Sequence, residues 1–224
     1  MVISKSIVTF VPVETTKLLE DLVANRDVPR SAPWRSKGME TKRNILNAAL
    51  DLFISSPIEE FTMRRLTANV GMELGNLTYH YRSKARLIDS MVKDRTADYA
   101  EEILAVLARV EASPRDALET TITLLVQDLR RPEIAFFPKL WALSLHDDNV
   151  AAATAHIHEI ERQVFAGLVR ATRPDWDLDA CDALALHITA SIEGLTLFIG
   201  QNRRKTEIYE APEQEIIRVL RKAL

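Results

Sequence analysis

An all-α fold is the expectation for this chain of 224 residues. Three observations carry it. The composition is rich in Leu, Ala, Arg and Glu, all good helix formers, with only six glycines and 6% aromatic residues. No run of alternating β-branched residues bounded by turns occurs along it. Apolar residues recur instead at spacings of three and four in one segment after another. The length suffices for one or two domains with a sizeable core.

Taken in order, Leu18, Leu19, Leu22 and Val23 make one apolar face of a short amphipathic helix within residues 14–26. Residues 28–38 read as linker, because Pro29 and Pro33 exclude regular helix while Arg30, Arg35 and Lys37 make the segment basic. Ile45, Leu46, Ala49, Leu52 and Phe53 form a broad stripe that predicts a helix over residues 41–54. Thr62 can cap a second helix with Leu66 and Val70 on its core face, and Gly71 supplies the permissive backbone of a tight turn. Leu74, Leu77 and Tyr81 then space a third helix, short and strongly polar, whose other side chains include Glu73, Asn76, Thr78, Tyr79 and His80. These are donors and acceptors of the kind that reach base edges and phosphates from a helix lying in a major groove, so the pair reads as a helix-turn-helix.

Ser83 can cap the next helix, along which Leu87, Met91, Tyr99, Ile103 and Val106 run toward Val110. Ser113, Pro114 and Asp116 make a compact start for a helix reaching about Leu129. Pro132 is expected to open another, with Phe137, Trp141 and Leu145 at i, i+4 and i+8 and Pro138 straining or kinking it. Residues 149–172 are helical in pattern and Pro174 ends them; Asp177 or Asp179 begins a further helix running to about Gln201. Within it, residues 183–200 are apolar on nearly all faces apart from His187 and Glu193 and fall short of a comfortable membrane span, so they read as a buried helix needing cover on both sides. After the basic turn at 203–205, Pro212 opens a last helix ending at Leu224.

The net charge of -3 argues by itself against nucleic acid, but its distribution reverses that impression. Residues 30–95 hold 12 Lys and Arg against 7 Asp and Glu, whereas the rest of the chain holds 17 against 25. A basic head on an acidic body suits phosphate contact through one end. The single cysteine, Cys181, forms no internal disulfide, packs as a small hydrophobe and fits a reducing cytoplasm. The first 13 residues, broken by Ser4, Lys5, Ser6 and Thr9, make a poor signal peptide.

The run from Gly71 through Met72, Glu73, Leu74, Gly75, Asn76, Leu77, Thr78, Tyr79, His80, Tyr81 and Arg82 to Ser83 and Lys84 resembles the signature of the TetR family of bacterial transcriptional regulators. A turn glycine, a Leu-Tyr-x-His-Phe-type stretch and a Ser/Asn-Lys pair follow one another in that signature. Two departures stand out: Thr78 occupies a position where an aromatic is usual, and Tyr81 one where Phe is commoner. The strong match covers about residues 40–93. Residues 1–38 read as an N-terminal extension and basic linker that is unusual for that family, and the resemblance implies a helix-turn-helix DNA-binding domain over 39–84 and a helical effector-binding and dimerisation domain over 85–224. It also implies a cytoplasmic homodimer on an inverted-repeat operator, with repression as the usual sign, no cofactor and no membrane. The helix at 183–200 and the last helix would pack against the same pair of a second subunit.

Arg64, Glu73, Leu74, Asn76 and Thr78 are the candidate base readers: guanidinium for guanine, the amide for adenine, carboxylate for cytosine, and Leu or Thr for a thymine methyl. Thr62, Tyr79, His80 and Lys84 suit phosphate. The basic linker can serve as an arm on phosphate or the minor groove, or merely as a soluble spacer. A small-molecule effector, unidentified, is implied by the resemblance, and Gln127, Phe137, Trp141, His146 and His187 are candidates to line its pocket with apolar walls and a few polar groups.

An enzyme finds little support. His156 and His158 are two residues apart and diverge on a helix, Cys181 and His187 fall on different faces, and no phosphate-cradling glycine loop or metal-ligand spacing occurs. The competing reading is a helical interaction protein whose head contacts other proteins.

Overall fold

The computed structural model describes residues 11–30, 37–110, 113–199 and 212–223. Among these it contains ten α-helices, two short 3-10 turns and no strand. Arg35 of the basic linker and the basic turn at 203–205 lie outside the described residues. The helices are α1 (Val13–Ala24), α2 (Lys37–Ser55), α3 (Met63–Val70), α4 (Leu74–His80), α5 (Lys84–Leu107), α6 (Pro114–Asp128), α7 (Phe136–Ser144), α8 (Asp148–Thr172), α9 (Leu178–Ile199) and α10 (Pro212–Ala223). The all-α expectation holds.

Local signals set most of the starts. The backbone N–H of Arg65 donates to Thr62 Oγ1 (3.1 Å), that of Arg86 to Ser83 Oγ (3.2 Å), that of Asp116 to Ser113 Oγ (3.1 Å) and that of Ala180 to Asp177 Oδ1 (2.7 Å). Each satisfies a donor that the first helical turn leaves without a partner. One start differs from the sequence reading. Pro132 opens a 3-10 turn, Pro132–Ala135, and α7 begins only at Phe136. Pro138 thereby falls in the first turn of α7, where its missing N–H costs no helical hydrogen bond.

The described residues pack as two units. These units record which residues pack together and differ from the segments 1–38, 39–84 and 85–224 expected from the sequence. The first comprises residues 22–98 and 135–155. Its apolar core gathers Ile45, Leu46, Phe53, Phe61, Leu66, Leu77, Tyr81, Met91, Phe136 and Leu140, all nearly or fully buried. The Phe53 ring meets Phe61 edge-on at 5.0 Å and Phe136 at 5.4 Å, joining α2 to α7. Beside them Lys139 Nζ donates to the carbonyl oxygens of Phe53, Ile54 and Ser56 at 2.8, 2.6 and 2.7 Å, filling acceptors that the end of α2 leaves open.

A buried ionic cluster ties the segment after α1 into this unit. The Arg26 side chain, 4% exposed, donates to Asp98 Oδ1 at 2.7 Å and lies 3.6 Å from Asp94 Oδ1. Arg43 reaches Asp94 at 2.7 Å, Arg30 reaches Asp98 at 2.5 Å, and Arg95 also donates to Asp98. Arg30, read from sequence as part of a basic linker, thus has a carboxylate partner.

The second unit comprises the described parts of residues 1–21, 99–134 and 156–224. Leu118, Ile122, Val126, Phe165, Leu168, Val169, Cys181, Ala185 and Ile188 form its core. Cys181 is buried, and burial pushes its thiol up. Gly167 of α8 lets α1 come close: a Cβ there would lie 2.0 Å from Thr15 Oγ1. The last helix, α10, packs against α6, where Arg221 makes a two-pronged contact with Glu119 (2.9 and 2.6 Å).

The helix read over residues 183–200 as needing cover on both sides has one side covered by the described fold. Cys181, Ala185, Ile188 and Ile192 of α9 are buried, but Leu186, Leu197 and Phe198 are 58%, 67% and 57% exposed, and Ala183 and Ala190 are exposed with them. The helical stretch Leu178–Phe198 is also long and apolar enough to cross a membrane by length and composition alone, longer than the sequence reading allowed.

Candidate nucleic-acid interface

Residues 62–84 build the interface candidate. Gly71 closes α3 with φ 65° and ψ 39°, a left-handed conformation that a side chain resists. The backbone N–H groups of Gly71 and Met72 return to the Thr67 carbonyl, so the chain reverses direction within three residues before α4 begins at Leu74. Leu66 of α3, Leu77 of α4 and Tyr81 after it are buried and hold the two helices on the core; Val70 is half-buried. The Tyr81 hydroxyl donates to the Lys42 carbonyl at 3.2 Å, and burial pushes its ionisation far above the usual tyrosine range. A Tyr in place of the commoner Phe therefore stays a core residue and gains a polar anchor on α2.

With Leu77 inward, the opposite face of α4 is presented to solvent. Glu73, Asn76 and Tyr79 are exposed, Tyr79 by 82%, and Leu74 is 40% exposed. Leu74 therefore belongs to the outward set and not to the core spacing with Leu77 and Tyr81. Thr78 and His80 are half-buried. The Thr78 hydroxyl donates to the Gly75 carbonyl at 3.0 Å, so its proton is engaged within the helix. Arg64 is exposed on α3, while its neighbour Arg65 is paired with Glu60 at 3.0 Å. Thr62 is exposed and its oxygen accepts the cap bond. Lys84 is half-buried at the start of α5, its ammonium over the Phe61 ring at 5.2 Å, an arrangement that steadies a flexible side chain. Arg82, just past α4, is exposed beside these groups.

The effector candidates differ in exposure. Phe137 and Trp141 are half-buried on α7, whereas Gln127, His146 and His187 are exposed. Phe137, Trp141 and His146 fall in one packing unit, Gln127 and His187 in the other. Sequence reasoning also missed Lys139, whose carbonyl partners lie more than 80 residues away and leave no local signal.

A short helix held by two buried anchors, preceded by a left-handed glycine turn and flanked by cations, defines a helix-turn-helix protein of the DNA-binding class. A family model described as bacterial regulatory proteins, tetR family, matches residues 45–91, from within α2 into α5. The likeness to the TetR family thus lies in the helix-turn-helix segment, residues 45–91.

Comparison with curated proteins finds no match. Among solved structures the fold is similar to a protein described as a transcriptional regulator from Pseudomonas aeruginosa PAO1, with TM-score 0.70 and 15% identity over 83% of this chain and 88% of that one. It is also similar to one described as a transcriptional regulator from Saccharomonospora viridis in complex with choline (TM-score 0.67, 18% identity, 80% and 94% covered). A third, described as a fatty acid metabolism regulator of Clostridium perfringens, gives TM-score 0.61 and 16% identity over 78% and 94%. At these identities the likeness is one of fold.

Proposed function

We propose that this regulator acts in the cytoplasm as a homodimer on an inverted-repeat operator, represses there, and is released or altered by a small-molecule effector. It binds and carries out no catalysis. The observation that carries the reading is the solvent-facing polar side of α4, with Leu77 and Tyr81 anchoring the other side. Arg64, Glu73, Leu74, Asn76 and Thr78 read bases in this account, Thr78 through its methyl group; Thr62, Tyr79, His80 and Lys84 hold phosphate. The basic composition of residues 30–95 supplies the long-range attraction.

The second copy is assigned to α9. Ala183, Leu186, Ala190, Leu197 and Phe198 form an exposed apolar stripe with small residues that allow close approach, and water is a poor cover for it. The last helix, α10, which lies on α6 and leaves Val219 exposed, joins α9 in that contact. Two heads must then match successive major grooves ~34–36 Å apart, so a small change in their separation is enough to end binding. The capture of choline by the Saccharomonospora viridis protein supports a small-molecule effector for this fold. Phe137, Trp141, Gln127, His146 and His187 remain the candidates for contacting it, the two aromatics half-buried and the other three exposed.

Selection of binding sites from a random DNA pool with the purified protein tests the reading. A two-fold symmetric site whose affinity falls steeply with salt is the expected result. A folded, dimeric protein that enriches no sequence even after denaturation and refolding to strip any bound effector refutes it and favours protein contacts by the head.

A further inference from the structure

The interior side of α9 carries a polar group that the fold does not account for. Thr189 is 6% exposed and its hydroxyl has no hydrogen-bond partner. Other buried helical threonines, Thr121 and Thr154 among them, donate to the carbonyl one turn back at 2.8 Å. Thr189 does not do so, which leaves a buried hydroxyl at a cost that packing alone does not repay. One turn further along the same helix stands Glu193, so the two side chains share a face to within about 40°.

Glu193 is hydrogen-bonded to Glu161 of α8. Burial raises both carboxyls, Glu193 to about 7, and Glu193 raises Glu161 further. Among the described residues neither makes an ion pair with Lys or Arg. The neighbouring Arg162 is engaged by Glu159 at 2.7 Å and Asp182 at 3.2 Å instead. His158 Nε2 lies 3.5 Å from Glu193 Oε1, and burial lowers the imidazole, which keeps it neutral at pH 7. Two paired carboxyls thus lie without a Lys or Arg ion pair, and an unpartnered buried hydroxyl stands one turn away on the same face of α9. No group of three His, Cys, Asp or Glu among the described residues is arranged to hold a metal ion.

We propose that Glu161, Glu193 and Thr189 bind the primary ammonium head of an amphipathic amine, which is the effector of this regulator. The inference rests on the effector-responsive reading above and names its ligand class. An ammonium group carries three N–H donors, matching three acceptors, and its charge supplies what the carboxyl pair lacks. Ile160, Val164, Ile188 and Ile192, buried and within four residues of these groups along the two helices, favour an alkyl or aryl tail over a polar one. The site can be reached from solvent, since the Glu193 and His158 side chains are 25% and 40% exposed.

Thermal melting of the full-length protein at pH 8 tests this with hexylammonium and benzylammonium as probes, and with 1-hexanol and hexanoate as neutral and anionic controls. A saturable rise of about 5 °C with the ammonium ions alone is expected. Glu161→Gln/Glu193→Gln is expected to stay folded and lose at least tenfold in affinity, and Thr189→Val to lose roughly fivefold. Should the double variant melt too early to measure, Glu193→Gln alone carries the comparison. An equal rise with hexanol, retention of affinity within twofold in the Gln variant, or no rise with either ammonium ion overturns the proposal. Operator affinity measured in parallel separates the two readings. A protein that binds its selected operator but ignores ammonium ions leaves the regulator standing without this ligand; a charge-dependent ammonium response with no operator leaves the site without the DNA reading.

Discussion

Replacing Lys139 by Met keeps most of the aliphatic stem and removes the ammonium that closes the end of α2. Three hydrogen bonds go with it, to the carbonyls of Phe53, Ile54 and Ser56 at 2.8, 2.6 and 2.7 Å. Each bond from a charged donor is worth ~1.5–3 kcal/mol, but the three share one ammonium whose desolvation offsets part of the gain. That desolvation is visible in the lowered proton affinity of Lys139. A net loss of about 2–4 kcal/mol follows for Lys139→Met, since the carbonyls also lose their partner. For a chain of this size that corresponds to a fall in Tm of roughly 5–12 °C. Urea titration followed by circular dichroism at 222 nm reads the same quantity as a shift in midpoint with little change in slope. A loss below ~0.5 kcal/mol, the range of ordinary surface substitutions, would refute the idea that this lysine closes α2.

Three other outcomes are expected. Lys84→Ala should weaken binding to all DNA sequences and flatten the salt slope by about one, while Asn76→Ala should relax preference at a single base pair; the reverse pattern in affinity measurements against salt would overturn the assignment. Arg26→Met removes one cation from a buried cluster, leaving Asp94 to Arg43, and Asp98 to Arg30 and Arg95, and should cost about 2–4 kcal/mol by urea unfolding; a cost under ~1 kcal/mol would mean that the remaining arginines suffice. The Glu161 and Glu193 carboxyls bind protons more tightly in the folded chain than their ordinary value of 4.5. Their contribution to stability is therefore present below about pH 4.5 and lost as pH rises through about 7, the value of Glu193, by up to ~3 kcal/mol. Melting across that range should show this slope reduced in Glu161→Gln/Glu193→Gln, and an unchanged slope would exclude the pair as its source.

Helix starts were legible because they are local. Thr62, Ser83, Ser113 and Asp177 each cap a helix through a backbone N–H three residues ahead, a relation that the order of residues alone specifies. The turn at Gly71 and the inward positions Leu66 and Leu77 follow from the same short range, and with them the polar side of α4. Residue order also determines the helical phase of every long segment, and hence which side chains share a face.

Phase does not say what a face meets. Residues 183–200 read as needing cover on both sides, and packing decides which side the chain itself covers: Ile188 and Ile192 of α9 are buried, whereas Leu186, Leu197 and Phe198 are exposed. Arg30 read as a cation of a linker until Asp98, 68 residues on, was found beside it. The Lys139 contact with α2 and the meeting of Glu161 with Glu193 belong to the same class. Each depends on which helix faces which, set by the packing of the whole chain, because hydrophobic burial is non-directional and selects a face without naming its partner.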